Sequence, residues 1–243
     1  MIRLENFIFS AKAPAVFAYI PKVACTNWKC ILRYLDGHHD YLNSRLAHDR
    51  KKSNLKYLSE YSNPYDLIND TSIKKITCVR NPYSRILSAY LNKVKPFSSP
   101  EAIPEWDPYF FKLYKEINEF RLKNTSNYED VTFDCFLDWI LFSNNIAVKD
   151  EHWIPQTDLI GEGEVDFYFI CHFEKFKTEL PIALEILKCD IPFPSQSEVN
   201  FLPTNANSQL DIFYLPESIQ KVRSIYQKDF LRLNYDIQPF WLS

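Results

Sequence analysis

Glycine is almost missing from this chain, with three residues in 243. That excludes a phosphate loop of the Gly-x-x-x-x-Gly-Lys-Ser/Thr kind. Methionine is scarcer still, with a single residue. Neither charge sign dominates: 28 Lys and Arg face 31 Asp and Glu, for a net charge of -3. The broad positive footprint of a nucleic-acid partner is therefore missing, and any anion site must be local. No segment approaches the ~20 apolar residues of a membrane span. The apolar run from Ala13 to Ile20 leads straight into Pro21-Lys22 with no small-residue cleavage pattern, so no signal peptide is read. The six cysteines form no Cys-x-x-Cys, and none stands at zinc spacing from a histidine. They read as reduced, buried thiols, and the chain reads as cytoplasmic.

What is present is a core-forming chain. Hydrophobic residues make up 46% and aromatics 16%, which excludes disorder as the main state. A chain of this length fits one domain over residues 1–243. Three short apolar runs read as buried strands: Val16–Ile20, Ile73–Val79 and Asp166–Cys171. Helical spacing begins at Thr26 and stops at Asp36-Gly37. It recurs from Pro82, over Tyr109–Lys123, Phe133–Phe142 and Phe176–Leu187, and over Pro216–Leu231. Residues 38–70 read as irregular, with a short helix at Leu55–Tyr61, and the proline-rich 95–108 as a loop. Strands alternating with helices predict an α/β fold, P-loop-like and three-layered, with a mainly parallel central sheet flanked by helices.

Two strand-to-helix junctions carry the chemistry. The first is Pro21-Lys22-Val23-Ala24-Cys25-Thr26-Asn27-Trp28-Lys29. The first N–H groups of a helix have no internal partner, and with the helix dipole they form an anion site. Lys22 adds a cation and Thr26 a hydroxyl. Read blandly, Lys22 is a surface lysine, Thr26 a plain N-cap and Trp28 a core tryptophan. The second junction is Arg80-Asn81-Pro82-Tyr83-Ser84-Arg85-Ile86-Leu87-Ser88-Ala89-Tyr90. Arg80 sits at a strand's carboxyl end, where α/β folds bind ligands, and offers a fork of donors to a terminal phosphate. The bland alternative is a structural ion pair. Two anion sites suit a ligand phosphorylated at two separate places.

These stretches resemble the signature motifs of sulfotransferases that use 3′-phosphoadenosine 5′-phosphosulfate (PAPS). The likeness is closest to Golgi carbohydrate sulfotransferases acting on chondroitin, dermatan and the HNK-1 glycan. Residues 21–29 match the family's 5′-phosphosulfate loop at every position. Residues 80–90 match its 3′-phosphate motif, with Asn81 where an acid is common. Weaker likenesses follow in Glu151-His152-Trp153, in Phe173-Glu174-Lys175-Phe176 and in Tyr226-Gln227-Lys228-Asp229-Phe230. The family's Cys-x-x-Cys after the Glu-His-Trp is replaced by Gly161-Glu162-Gly163, and no counterpart of its membrane anchor is seen. These departures lead us to expect a soluble, bacterial-type relative.

The resemblance implies sulfuryl transfer from PAPS to an acceptor hydroxyl, most readily on a glycan, with 3′,5′-adenosine bisphosphate (PAP) as product. Lys22 would contact the bridging oxygen. Thr26 and the N–H groups of Cys25–Trp28, within the loop Lys22–Trp28, would hold the 5′-phosphate. Arg80 and Ser88 would hold the 3′-phosphate, and Asn205 and Ser208 lie where relatives carry a loop near the nucleotide. A sulfuryl group carries less charge than a phosphoryl group, so no metal is expected. His48 is the first candidate for the general base, by its likeness to a histidine of heparan 2-O-sulfotransferases, and His152 the second. Arg45, Arg50, Lys51, Lys52 and Lys56 around His48 form either a solvated loop or an anion-attracting patch. Two other readings stay open: a P-loop-type nucleotide-dependent kinase, and a non-catalytic nucleotide- or glycan-binding relative. The oligomeric state is not legible. Removing a charge-assisted hydrogen bond costs about 1.5–3 kcal/mol. Arg80→Ala is therefore expected to weaken PAP binding by about 10- to 150-fold in a calorimetric titration. Unchanged affinity would remove Arg80 from the site.

Overall fold

The computed structural model describes residues 2–97, 108–123, 130–143, 149–200 and 202–242. In chain order the elements begin with β1 (Phe7–Ser10), β2 (Ala15–Ala18), α1 (Cys25–Leu35) and α2 (Ser44–His48). Next come β3 (Lys56–Tyr57), α3 (Pro64–Asn69), β4 (Lys74–Val79), α4 (Pro82–Lys93) and α5 (Pro108–Lys123). There follow α6 (Phe133–Phe142), α7 (Gln156–Ile160), β5 (Phe169–His172) and α8 (Phe176–Ile186). The last are α9 (Leu210–Phe213), α10 (Pro216–Ile225) and α11 (Gln227–Arg232). The backbone divides into two compact units, Met1–Arg80 with Gln156–Pro203, and Asn81–Pro155 with Thr204–Ser243.

The first unit holds the sheet, in the order β3-β1-β2-β4-β5. Its parallel part is β2, β4 and β5, with Phe17 opposite Ile76 and Val79 opposite His172. Every residue of β2 is buried, as are all of β4 after Lys74. Such continuous burial suits parallel strands covered on both faces. Thr77 settles its buried hydroxyl on the Ala18 carbonyl at 2.7 Å. The expected α/β class with parallel strands and flanking helices is therefore found. The antiparallel edge was not foreseen: β1 pairs antiparallel with β2 on one side and β3 on the other.

Helix α1 buries its apolar face on this sheet. Trp28 is 1% exposed, with ring centroids 4.7 Å from Phe17 and Phe193 and 6.4 Å from Phe176. The helix stops as read from Asp36-Gly37. Gly37 takes φ 89°, its N–H meets the Tyr34 carbonyl and the His38 N–H meets that of Arg33. This is a Schellman ending, whose left-handed position favours glycine.

The second unit is a helical body around an aromatic core that includes Tyr83, Tyr90, Phe136, Trp139, Trp153 and Tyr226. Lys221 of α10 lies 2.6 Å from Asp134 and 2.7 Å from Asp138 of α6.

Four local expectations need correction. The helix expected at Leu55–Tyr61 is β3 followed by a 3-10 turn, because Tyr57 pairs with Ile8 and is buried. A segment this short has little helical stability of its own, so the sheet edge decides. Residues 38–70 are less irregular than read, since they contain α2 and α3. The last helix breaks at Tyr226, with φ -113° and ψ 22°, into α10 and α11. In the 95–108 loop, Lys95–Phe97 form a 3-10 turn and Pro108 opens α5, as proline can at a first helical turn. Pro100 and Pro104 lie outside the described residues. Among the described residues no helix is long and apolar enough to cross a membrane, and all six cysteines are free thiols.

Trp28→Ala would empty a fully packed position beneath the first junction. It is expected to lower stability by about 3–5 kcal/mol in urea denaturation. A loss below about 1 kcal/mol would show that Trp28 does not support the junction.

Candidate functional site

The first junction leaves β2 at Ala18 and enters α1 at Cys25. Between them Lys22 has φ 70° and Ala24 φ 51°. Both residues occupy the left-handed region that glycine fills without cost, and each non-glycine there costs about 1–2 kcal/mol. Ala24 is also the N-cap of α1 and gives no side-chain acceptor to the helix. The Trp28 N–H is already taken by the Ala24 carbonyl at 3.0 Å. The amides that helix geometry leaves for an anion are therefore those of Cys25, Thr26 and Asn27, which trims the expected Cys25–Trp28 set by one. The Trp28 side chain belongs to the core.

Thr26 is not the N-cap, because it lies inside the helix. Its Oγ1 stands 2.8 Å from Nε2 of His48, the last residue of α2. Thus the candidate base and the candidate phosphate hydroxyl, 22 residues apart in sequence, meet side by side. Asn27 turns the other way, and its amide donates to the Pro194 carbonyl at 2.8 Å. Val23 is buried. Of the basic residues around His48, Arg50 bonds Ser59 at 2.6 Å and stacks over Tyr57, while Lys52 lies 3.7 Å from Asp49.

Arg80 follows β4 directly. Its Nη1 donates to the Lys22 carbonyl at 3.1 Å, and its guanidinium lies 4.8 Å from the Phe173 ring centroid. The first unit therefore gathers Lys22, Thr26, His48 and Arg80 around one loop. A residue missed in the sequence holds Arg80 there. The fully buried Gln156 accepts the Arg80 N–H at 2.9 Å and donates to the Arg80 carbonyl at 2.8 Å. One side-chain amide thus replaces a ladder partner where the chain leaves the sheet. A glutamine before Thr157 carries no sequence signal for this.

In the second unit Asn81 caps α4 by accepting the Tyr83 N–H at 3.0 Å. Asparagine caps as well as an acid does. Ser88, on the same helix, is 3% exposed and bonds Thr204 at 2.9 Å. The Glu-His-Trp stretch forms a turn gripped from outside. Arg85 donates to the Ile154 and Glu151 carbonyls, each at 2.8 Å, and the Tyr226 hydroxyl donates to the Trp153 carbonyl. His152 Nδ1 lies 2.6 Å from Asp150, whose other oxygen accepts the Tyr109 hydroxyl at 2.9 Å. Burial pushes the His152 imidazole below its ordinary value, against the Asp150 hydrogen bond and charge. Burial raises Asp150, but its bonds from His152 and Tyr109 outweigh this and hold it low. At neutral pH the ring is neutral, with its proton on Nδ1 toward a carboxylate that can only accept. Among the described residues no group of three or more His, Cys, Asp and Glu could hold a metal ion.

Gln156→Leu would remove the side-chain amide that the Arg80 N–H and carbonyl both meet, and losing a partner of a buried polar group costs about 1–3 kcal/mol. We expect a loss of about 2 kcal/mol or more in urea denaturation, with weakened PAP binding. Wild-type stability and affinity would show that Arg80 does not need this amide.

The chain is similar to known carbohydrate sulfotransferases. The chain is 24% identical to mouse carbohydrate sulfotransferase 11 over 98% of its own length and 69% of that protein's. It is 27% identical to zebrafish carbohydrate sulfotransferase 14, over 75% and 48%. It is 22% identical to human carbohydrate sulfotransferase 10, over 99% and 69%. No solved structure matches. The sulfotransferase family matches residues 5–236, and the chain belongs to that family.

Proposed function

We propose that this protein transfers the sulfuryl group of PAPS to a hydroxyl of a carbohydrate. The observation that carries the proposal is the first junction. There α1 begins on a residue with no side-chain acceptor, Thr26 meets His48 at 2.8 Å, and the Lys22 carbonyl meets Arg80 at 3.1 Å. The relatives named above are carbohydrate sulfotransferases, which supports a glycan acceptor. The family match runs through both compact units, which supports one sulfotransferase domain over residues 1–243. Six free thiols suit a reducing compartment, in keeping with the cytoplasm.

The acceptor oxygen attacks sulfur as the bond from sulfur to the 5′-phosphate oxygen breaks. The acceptor's proton passes to His48, and PAP leaves with the electron pair of the broken bond. Lys22 stabilises the charge that grows on the leaving oxygen. Thr26 and the amides of Cys25, Thr26 and Asn27 hold the 5′-phosphate. The second motif supplies the 3′-phosphate contacts, Arg80 at its start and Ser88 in α4. His152, neutral and oriented by Asp150, serves as an acceptor contact. Positioning and fixed electrostatics account for most of the rate in such transfers.

Calorimetric titration with PAP and with ADP, with and without Mg²⁺, tests the donor. Metal-independent binding that prefers PAP is expected. Equal or stronger Mg²⁺-dependent binding of ADP would overturn the reading in favour of a kinase. His48→Ala is expected to lower kcat with PAPS and desulfated chondroitin oligosaccharides by about 10²- to 10⁴-fold, with PAP affinity within a few-fold of wild type. A near wild-type rate would remove His48 as the base.

A further inference from the structure

The Ser88 hydroxyl meets a partner that the sequence did not mark. Its Oγ lies 2.9 Å from Thr204 Oγ1, across 116 positions of chain and within the second unit. Ser88 is buried and Thr204 half-buried. Thr204 opens a short segment whose shape is fixed from within. Gln209 Nε2 donates to the Thr204 carbonyl at 2.8 Å and to the Asn205 carbonyl at 3.4 Å. Ser208 gives its N–H at 3.1 Å and its hydroxyl at 2.9 Å to that same Asn205 carbonyl. Asn205 turns the chain with φ 49°, in the left-handed region that asparagine tolerates. Asn205, Ser208 and Gln209 therefore shape the segment, and the side chain it presents to Ser88 is Thr204.

Two hydroxyls in contact form a self-satisfied pair. One donates, the other accepts, and the accepting hydroxyl still has a proton to give. An anion changes the balance, because its oxygens only accept. Turning both O–H groups toward a phosphate replaces one neutral hydrogen bond with two charge-assisted ones, each roughly twice as strong. The pair is 2.9 Å apart, so an oxygen within hydrogen-bond reach of one hydroxyl is near the other.

We propose that Thr204 is a second hydroxyl ligand of the donor's 3′-phosphate, paired with Ser88, and that it sets the preference for nucleotides carrying that phosphate. The proposal rests on the donor reading above. It adds to that reading a residue outside both junction motifs.

PAP and AMP differ by the 3′-phosphate alone, so titration of both against Thr204 variants separates binding from structure. Thr204→Val keeps the shape and removes the hydroxyl. It is expected to weaken PAP binding about tenfold or more and to leave AMP binding within twofold. Thr204→Ser, which restores the hydroxyl, is expected to recover most of the PAP affinity. Thr204→Ala, measured alongside with thermal melts, keeps a packing fault of valine from deciding the result. PAP affinity within twofold of wild type in both hydroxyl-free variants would overturn the proposal. So would equal losses for PAP and AMP, which would make the Ser88–Thr204 bond a structural tether. A wild-type protein that does not prefer PAP over AMP would overturn the donor reading and this proposal with it. A wild-type preference that survives in the variants would overturn Thr204 alone.

Discussion

The parallel pairing of β2 with β4 is the constraint on which the rest of the first unit depends. Register places Ala18 opposite Thr77, so both strands end at the same edge of the sheet. There the chain after β2 must turn into α1 within a few residues, and the chain after β4 must leave at Arg80. Ligands of open α/β sheets bind outside the carboxyl ends of the strands. The tight first turn is made without glycine, by placing Lys22 and Ala24 in the left-handed region. That conformation persists because the residues around it are fixed. Val23 is buried, Trp28 is clamped among three phenylalanines, and Arg80 ties the Lys22 carbonyl. Strain held in this way by its surroundings is characteristic of functional turns.

Sequence made legible those parts whose cause is local. Parallel strands β2 and β4 were readable because each carries a short run rich in apolar and β-branched residues. Helix α6 was readable to the residue, since Thr132 caps it and its apolar spacing is regular. Lys22, Thr26 and Arg80 were singled out because a cation, a hydroxyl and a guanidinium at a helix start or strand end suit an anion, and because their motifs resemble those of the family. What escaped was set by distant partners. Strand β1 has four residues and exists because β2 and β3 flank it. Gln156 acts on Arg80 from 76 positions away. Thr204 meets Ser88 through the packing of the second unit and not through any spacing. The role of Thr26 as a neighbour of His48, rather than an N-cap, also required the fold.

The second unit brings two of the weak stretches of likeness, Glu151-His152-Trp153 and the one that begins at Tyr226, together with Arg85 of the second motif. In the structure Arg85 and Tyr226 hold three carbonyls of one turn, those of Glu151, Trp153 and Ile154. Both holders are buried. Burial depresses Arg85 and raises Tyr226, so Arg85 is the poorer for desolvation and Tyr226 the more firmly a neutral donor. A buried guanidinium is costly unless its hydrogens are engaged. Here two carbonyls engage it, and the charges of Asp229, Glu151 and Asp150 favour it.

The residue that this scaffold holds in place is His152, whose side chain is only 21% exposed. Its backbone N–H and Nδ1 both go to Asp150, so neither the turn nor the ring can rotate without breaking a bond to a carboxylate. A turn serving only to connect α6 to α7 would not need a buried arginine, a buried tyrosine and an oriented imidazole. An imidazole held neutral, with Nε2 as the remaining acceptor, does need them. Its pKa has to be kept down by burial while its geometry is fixed by the very carboxylate that would otherwise raise it. The two effects work against each other on charge and together on orientation. That combination gives a histidine able to accept a hydrogen bond from a hydroxyl at neutral pH.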